Sequence, residues 1–156
     1  MRILLVAVGT RMPSWVQTGY EEYAKRLPRD CRLELVEIPP AKRARTTPVE
    51  RLRQAEGERL LAAVPPGGRV LALDERGLSW STRELAEQLT HWQRTGKDVA
   101  LLVGGPDGLS DACRERAEGL WSLSRLTLPH AMVRVIVAEQ LYRAWSMLTR
   151  HPYHRD

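Results

Sequence analysis

The segment Leu101-Leu102-Val103-Gly104-Gly105-Pro106-Asp107-Gly108-Leu109 decides the fold class of this chain. Residues 98–103 form a nearly continuous apolar run, and two glycines and a proline end it abruptly. Such a run predicts a strand buried on both faces, which is typical of parallel sheets covered by helices. In these sheets, ligands bind beyond the carboxyl ends of the strands. The segment therefore predicts an α/β fold with a ligand site close to Gly104.

Outward from this segment, short apolar runs alternate with longer amphipathic ones. Thr47 is predicted to cap a helix beginning at Pro48, and Ser81 with Glu84 to form a capping box. The patterns predict further helices over residues 14–26, 81–93, 109–118 and 129–149, and strands over residues 2–8, 31–38, 69–73, 98–103 and 121–126. This alternation predicts a single domain, residues 1–156, built on a mainly parallel sheet flanked by helices.

The composition limits the class of protein. Of 156 residues, 43% are hydrophobic and 28% are charged, which is typical of a globular chain. No apolar run approaches the roughly 18 residues that a membrane span requires. The net charge of +5 favours an anionic partner. Cys31 and Cys113 lie in no metal-binding spacing, so we expect two reduced thiols and no metal.

Two segments carry candidate binding groups. Gly104 to Gly108 is either a tight turn or a loop that brings the backbone close to a ligand, and it matches neither of the common glycine-rich nucleotide motifs. The run from Trp121 to His130 is either a plain strand-to-helix connection or a loop that offers main-chain groups to a flat heterocycle. In the second case the leucine side chains would enclose the ring. At this level both alternatives stay open for each segment.

The last predicted helix and the tail that follows it are rich in functional groups. Apolar residues from Val133 to Leu148 follow helical spacing and extend around much of the helix. Either the same chain or a second copy must cover this surface, and a second copy is favoured. Residues 150–155 contain two imidazoles, a phenol and two guanidiniums. Such groups suit phosphate binding, base stacking and proton transfer.

A basic loop, Ala41-Lys42-Arg43-Ala44-Arg45, is either a solvated loop or a phosphate contact. Two classes of function compete with an enzyme that has an apolar cofactor pocket. A module that only binds RNA or ribosomes explains the charge and the tail, but not the apolar pocket framed by glycines. An enzyme that holds nucleotide phosphates on residues 104–108 is disfavoured by Asp107, because an acid in that loop repels phosphate.

Together these motifs resemble one known family. The opening Leu5-Val6-Ala7-Val8-Gly9-Thr10 and the segments Leu101 to Leu109 and Leu123 to His130 are similar to ribosomal RNA large subunit methyltransferase H. The same holds for Tyr142-Arg143-Ala144-Trp145-Ser146 and for the ending His151-Pro152-Tyr153-His154-Arg155. That family comprises small knotted methyltransferases of the SPOUT class. The resemblance covers the whole chain and is loosest over residues 41–76.

The resemblance implies several properties of this chain. They are a trefoil knot in the C-terminal part of the sheet, a homodimer, a cytoplasmic location, and methylation of N3 of a pseudouridine in large-subunit (23S) ribosomal RNA. A knot is so rare that reasoning from patterns excludes it. The resemblance also implies that S-adenosylmethionine binds at the knot, to Leu73, Gly104, Leu123, Ser124, Arg125, Leu126, Thr127 and Leu128.

The tail supplies a hypothesis for catalysis. N3 of the base carries a proton and is a poor nucleophile until that proton is lost. The protein must therefore align the nitrogen, the methyl carbon and the sulfur, and help the proton leave. We hypothesise that His154 or Tyr153 relays the proton, and that Arg155 stabilises the anion or holds a phosphate. In a dimer, the tail of one chain would reach the cofactor of the other.

Overall fold

A five-stranded, fully parallel sheet forms the centre of the molecule, in the order β2-β1-β4-β3-β5. The structure is a computed structural model, and it describes residues 1–155. The strands are β1 (Arg2–Val8), β2 (Arg32–Ile38), β3 (Arg69–Ser79), β4 (Val99–Val103) and β5 (Gly119–Ser122). Because all strands run the same way, their carboxyl ends meet at one edge, which we call the carboxyl edge.

Five α-helices cover the two faces of this sheet. They are α1 (Ser14–Ala24), α2 (Val49–Ala62), α3 (Thr82–Thr95), α4 (Asp111–Arg116) and α5 (His130–Leu148). Short 3-10 helices lie at Arg29–Cys31 and Pro152–His154. On one face α5 packs between α1 and α3, and on the other face α2 packs with α4. The prediction of an α/β sheet flanked by helices is therefore confirmed.

The alternation of side chains along β1 divides the core into two parts. Ile3 and Leu5 pack with the layer of α1, α3 and α5, whereas Leu4 and Val6 pack with the layer of α2 and α4. Every residue of β4 is buried as well. Burying one such side chain stabilises the folded state by about 1.5–3 kcal/mol. β4, which is predicted to be buried on both faces, thus lies beside β1 in the middle of the sheet.

The predicted N-terminal cap is confirmed for α3 but not for α2. Ser81 Oγ accepts a hydrogen bond from the Glu84 amide at 3.1 Å, and Glu84 Oε2 accepts from the Ser81 amide at 3.3 Å, which completes the predicted capping box. The prediction that Thr47 caps α2 is wrong. Pro48 is the N-cap residue, and Thr47 Oγ1 instead accepts from the Ala44 amide at 3.2 Å. The Thr47 hydroxyl closes the preceding turn, an alternative open to any short hydroxyl side chain.

Two strands differ from their predicted bounds near the carboxyl edge. β3 continues to Ser79, with a shift of register between Leu73 and Leu78. A Cβ on Gly77 would lie 2.4 Å from the Leu120 carbonyl carbon, so the absence of a side chain allows this close pairing. β5 ends at Ser122 rather than at residue 126. Residues 123–126 therefore leave the sheet and form a loop at its carboxyl edge.

The surface of α5 is covered largely by its own chain. Val137, Leu141 and Ala144 are completely buried, and Val135 lies where a Cβ on Gly19 of α1 would contact it at 3.3 Å. Leu148 at the end of the helix remains 40% exposed. The sequence analysis favoured a second copy as the cover of this helix. The packing within one chain does not require such a copy, because the same chain covers most of α5. Two neighbouring helices and the sheet bury it, and sequence spacing does not reveal those neighbours.

Both cysteines lie in the core of the structure. Cys31 and Cys113 are both buried and form no disulfide, and burial raises the pKa of Cys31 to about 12. Over residues 1–155, no helix combines the length and apolarity needed to cross a membrane. Within the same residues, His, Cys, Asp and Glu side chains form no group of three or more that would hold a metal.

Candidate active site

A cleft of about 750 Å³ opens at the carboxyl edge of the sheet, where β3, β4 and β5 end. Its walls include Val103 and Trp121 from the ends of β4 and β5, and Leu73, after which the pairing of β3 with β5 shifts register. The volume lies within the range of about 300–1,000 Å³ that is usual for small-molecule sites. Gly104, predicted to lie at a ligand site, and Leu73, the last residue of the predicted third strand, thus line one cavity.

The first wall of the cleft is the turn that follows β4. Gly108 donates its amide to the Gly105 carbonyl at 3.0 Å and has a φ of +83°, which favours glycine. A Cβ on Gly104 would lie 2.6 Å from the Gly108 carbonyl carbon. A side chain at position 104 would therefore push the turn open. Gly104 leaves its backbone exposed to the cleft and allows the turn to close beside it.

The second wall is the loop between β5 and α5. Its shape is set locally, because Ser122 Oγ donates to the Ser124 carbonyl and Ser124 Oγ accepts from the Leu126 amide, both at 2.9 Å. Leu126 is 74% exposed on the free surface of this loop. An exposed leucine side chain beside a cavity offers an apolar surface that the ring of a bound ligand would cover.

The structure brings together seven of the eight positions predicted to bind the cofactor. The residues that line the cleft are Leu73, Gly104, Leu123, Ser124, Leu126, Thr127 and Leu128. Arg125 belongs to the same loop, but its side chain is exposed and does not line the cavity.

A buried carboxylate that the sequence analysis did not single out stands at the rim of the cleft. Asp74 accepts hydrogen bonds from Arg114 Nε at 2.9 Å and from the Arg76 amide at 2.8 Å. Burial by itself would raise the pKa of Asp74, but the bonds from Arg76 and Arg114 outweigh it and hold that pKa well below its usual range. Asp74 is therefore ionised. It directly follows the predicted end of the third strand at residue 73, which was the available signal, although in the structure β3 continues to Ser79.

The basic loop is anchored to the same rim. Arg43 forms an ion pair with Asp107, and the Asp107 carbonyl accepts from Arg53 Nε at 2.6 Å. The start of the loop is held by the Ala41 amide, which donates to Glu56 Oε2 at 3.0 Å. Asp107 is the acid that made phosphate binding at the glycine turn unfavourable in the sequence analysis. In the structure it holds the cationic loop beside the cleft.

The tail folds back onto α5 of its own chain. Tyr153 Oη donates to Glu139 Oε1 at 2.9 Å, and the ring of Tyr153 lies 4.6 Å from that of Tyr142. The Arg143 guanidinium lies 4.9 Å from the centre of the Tyr153 ring and pairs with Glu139 at 2.7 Å. Burial, the bond to Glu139 and the charge of Glu139 raise the pKa of Tyr153 to about 12. The phenol is therefore protonated at neutral pH.

The other two predicted catalytic residues follow in the same tail. His154 Nδ1 lies 3.3 Å from Ser146 Oγ, and because that hydroxyl donates to the Arg143 carbonyl at 2.7 Å, the imidazole nitrogen is the donor in this pair. Arg155 is exposed. Neither these residues nor Tyr153 line the cleft of their own chain. The structure of one chain thus brings the tail residues together, but not with the cleft.

Comparison with known proteins decides the family. A family model described as "Predicted SPOUT methyltransferase" matches residues 1–154. The chain belongs to the SPOUT methyltransferase family. It is 63% identical to the ribosomal RNA large subunit methyltransferase H of Methylococcus capsulatus, over 99% of this chain and 100% of that protein. It is 61% identical to the protein of the same description from Nitrosococcus oceani, over 99% of each. The resemblance inferred from the motifs is therefore confirmed over the whole chain.

Solved structures support the SPOUT fold. One, described as "Structural insights into the 2-OH methylation of C/U34 on tRNA", matches with a TM-score of 0.52 and 23% identity, over 95% of this chain and 97% of that one. A probable methylase family protein from Haemophilus influenzae matches with a TM-score of 0.56 and 15% identity, over 97% of this chain and 68% of that one. The trefoil knot that the resemblance implied for the C-terminal part of the sheet stays a prediction.

Proposed function

We propose that this chain transfers the methyl group of S-adenosylmethionine to N3 of a pseudouridine in large-subunit ribosomal RNA, in the cytoplasm and as a homodimer. The observation that carries the proposal is the cleft at Gly104 and residues 123–128, in a member of the SPOUT family. The two relatives named above are ribosomal RNA methyltransferases by description, and each matches nearly the full chain at more than 60% identity.

The residues that line the cleft fit an adenosyl group. Leu73, Leu123 and Leu128 provide apolar surfaces for a flat ring, and the backbone at Gly104 and along residues 123–128 provides hydrogen-bonding groups. When bound, S-adenosylmethionine supplies a methyl group that is already activated by its sulfonium. The protein then has to hold the acceptor nitrogen in line and accept its proton.

The tail residues divide this work according to their environments. The phenol of Tyr153, with a pKa of about 12, is a hydrogen-bond donor, so it orients Glu139 rather than accepting a proton. His154 is the better proton acceptor, because its Nε2 is free to receive a proton when Nδ1 donates to Ser146. A guanidinium at Arg155 favours the anionic form of the imide and so lowers the pKa of N3.

The position of the tail supports a site shared between two protomers. Tyr153 and His154 are held against the middle and end of α5, through Glu139 and Ser146. The cleft of the same chain adjoins the first turn of α5, where Leu128 and Val133 line it. A tail fixed in this way serves the cleft of a second protomer, whereas it would have to detach to serve its own.

Mass spectrometry of ribosomal RNA tests the overall reaction. RNA from cells that lack the gene should be short of one methyl group on one pseudouridine, and purified protein with S-adenosylmethionine should restore it. A Gly104→Ala variant, in which the turn that lines the cleft is disrupted, serves as the control and should not restore the methyl group. Identical RNA masses with and without the gene would reject the proposal.

Mixed dimers test the shared site. Homodimers of Gly104→Ala and of His154→Ala should both methylate RNA at strongly reduced rates. A dimer with one protomer of each kind contains one intact cleft facing one intact tail, and should recover activity. If cleft and tail act within one chain, every mixed dimer stays as slow as the homodimers, and that outcome would reject the shared arrangement.

A further inference from the structure

A buried arginine ties the start of α5 to two strand ends. Arg134 is only 1% exposed. Its Nη2 donates to the Gly9 carbonyl at 2.8 Å, and its Nη1 pairs with Glu37 Oε2 at 2.7 Å. Gly9 follows β1, and Glu37 lies near the end of β2. One guanidinium thus connects α5 to both strands at the carboxyl edge.

Gly9 is shaped for this contact. Its φ is +124°, and its amide donates to the Ile38 carbonyl at 2.8 Å, so the residue bonds to β2 on one side and to α5 on the other. A Cβ at this position would lie 3.3 Å from Arg134 Nη2 and 3.5 Å from His130 Cε1. Glycine therefore permits the close approach of the helix to the strand end.

This cluster is poorly optimised for stability. Tyr20 and His130 also lie near Arg134: burial raises the pKa of Tyr20 and lowers the pKa of His130, and the charge of Arg134 acts to lower both. Tyr20 Oη, His130 Nδ1 and Arg134 Nε are three of the buried side-chain atoms in residues 1–155 that have no hydrogen-bond partner. Each such atom loses its hydration without gaining a hydrogen bond, which lowers the stability of the folded state. The ion pair joins the buried Arg134 to Glu37, whose side chain is 32% exposed, so the pair offsets only part of the cost of burying the guanidinium. What the cluster does provide is a defined geometry for the helix start.

The same helical turn forms part of the cofactor cleft. Val133, the neighbour of Arg134, lines the cleft together with Leu128, and the Val133 amide donates to the Pro129 carbonyl at 3.3 Å. The loop of residues 123–128 is thus joined directly to the turn that Arg134 holds. A shift of this turn would move one end of the loop.

We propose that Arg134 is a positioning residue, which fixes the first turn of α5 against Gly9 and Glu37 and so holds residues 123–128 in the shape that binds the cofactor. The inference rests on the proposed function for its cofactor. It assigns a role to the exit of β1, which the cleft itself does not use. Arg134 touches no reacting group, and it acts through the loop.

Arg69 provides a matched control. It is also an arginine with a buried, unpartnered Nε, and its Nη1 pairs with Glu118 at 2.7 Å. It lies at the first residue of β3, so it stands at the opposite edge of the sheet from the cleft. Arg134→Met and Arg69→Met therefore make the same chemical change at the two edges. Glu37→Gln and Arg134→Lys are milder changes within the cluster.

Titration calorimetry with S-adenosylmethionine, together with hydrogen exchange of the free protein, tests the role. Arg134→Met should weaken binding by about tenfold or more and speed exchange in residues 123–128. Glu37→Gln and Arg134→Lys should show smaller changes in the same direction, and they decide the matter if Arg134→Met does not fold. Arg69→Met should leave both readouts unchanged, whatever its melting temperature.

Two results would overturn the inference. The first is unaltered affinity and exchange in the Arg134 and Glu37 variants, and the second is an equal effect in Arg69→Met. Failure of the wild-type protein to bind S-adenosylmethionine would instead count against the proposed function. In that event the exchange of residues 123–128 in the free protein still decides whether Arg134 holds the loop.

Discussion

The cofactor cleft and the C-terminal tail are built in opposite ways. The cleft is completed by backbone turns within one chain, and its shape follows from residues such as Gly104 and Ser124 that bond locally. The tail consists of side chains, and Tyr153 and His154 are held on α5 at a place that lines no part of that cleft. One chain thus forms a cleft that is shaped to bind a ligand, whereas its tail is held on the surface of α5, away from that cleft.

This difference separates binding from catalysis. Changes in the cleft should affect affinity for the cofactor, and changes in the tail should affect turnover at unchanged affinity. In the proposed dimer both regions work together, although they lie on different chains. Four predictions test this division, and they are arranged by the size of the expected effect.

The largest effect is expected at the turn after β4. In Gly104→Ala, the added Cβ would meet the Gly108 carbonyl carbon at 2.6 Å, so the turn must open. Affinity for S-adenosylmethionine should fall by about a hundredfold in titration calorimetry. Gly96→Asn is the control, because Gly96 has a φ of +69° with open space around it and asparagine tolerates that conformation. Wild-type affinity in Gly104→Ala would show that the turn does not shape the cleft.

A smaller loss, confined to turnover, is expected in the tail. His154→Ala should lower kcat by about a hundredfold, because a positioned proton acceptor is worth that much or more. The affinity for S-adenosylmethionine should not change, since His154 lies outside the cleft. His91→Ala on α3 is the control. A parallel loss of cofactor affinity in His154→Ala would break the division between the two regions.

A modest effect is expected from the basic loop. Lys42 and Arg45 are exposed in a loop that Arg43 anchors to Asp107 at the rim of the cleft. The pair Lys42→Gln and Arg45→Gln should raise KM for ribosomal RNA severalfold and reduce the salt dependence of binding by about one ion per lost phosphate contact. Arg29→Gln, far along the chain from the loop, is the control. An unchanged salt dependence would assign the loop to solvent.

The smallest effect concerns stability rather than activity. The pKa of Asp74 is depressed in the folded state, so its contribution is present above the unfolded pKa of about 4 and is lost as the pH falls through the folded value. Asp74→Asn should lower the free energy of unfolding by about 1–2 kcal/mol near pH 7. In urea titrations this difference should narrow as the pH is lowered below about 4. A difference independent of pH would contradict the assignment.

Local signals in the sequence predicted local structure well. The capping box of Ser81 and Glu84 depends only on residues three apart, and it forms as predicted. The buried strands β1 and β4 follow from continuous apolar runs, and the glycines after β4 mark the turn of the cleft. Thr47 shows the limit of such signals, because its hydroxyl had two local partners and the pattern did not decide between them.

The motifs indicated a candidate binding loop at residues 123–128, and in the structure these residues form a loop beside the cleft, although periodicity misjudged its secondary structure. Residues 123–126 continue an apolar pattern, and a strand was predicted there. In the structure β5 stops at Ser122, because the Ser122 and Ser124 hydroxyls bond to the backbone of the loop. The residue types had left a binding loop open as one of two alternatives here, and the resemblance to a family favoured that alternative.

The sequence by itself determined the α/β class, the strand exits and the wealth of functional groups in the tail, because these depend on neighbours along the chain. Only the tertiary structure decided the strand order, the covering of α5 by α1 and α3, and the joining of Arg134 to Gly9 and Glu37. Those contacts join residues up to 125 positions apart. Hydrophobic burial drives such contacts but has no direction, so a linear pattern does not specify which distant surfaces will meet.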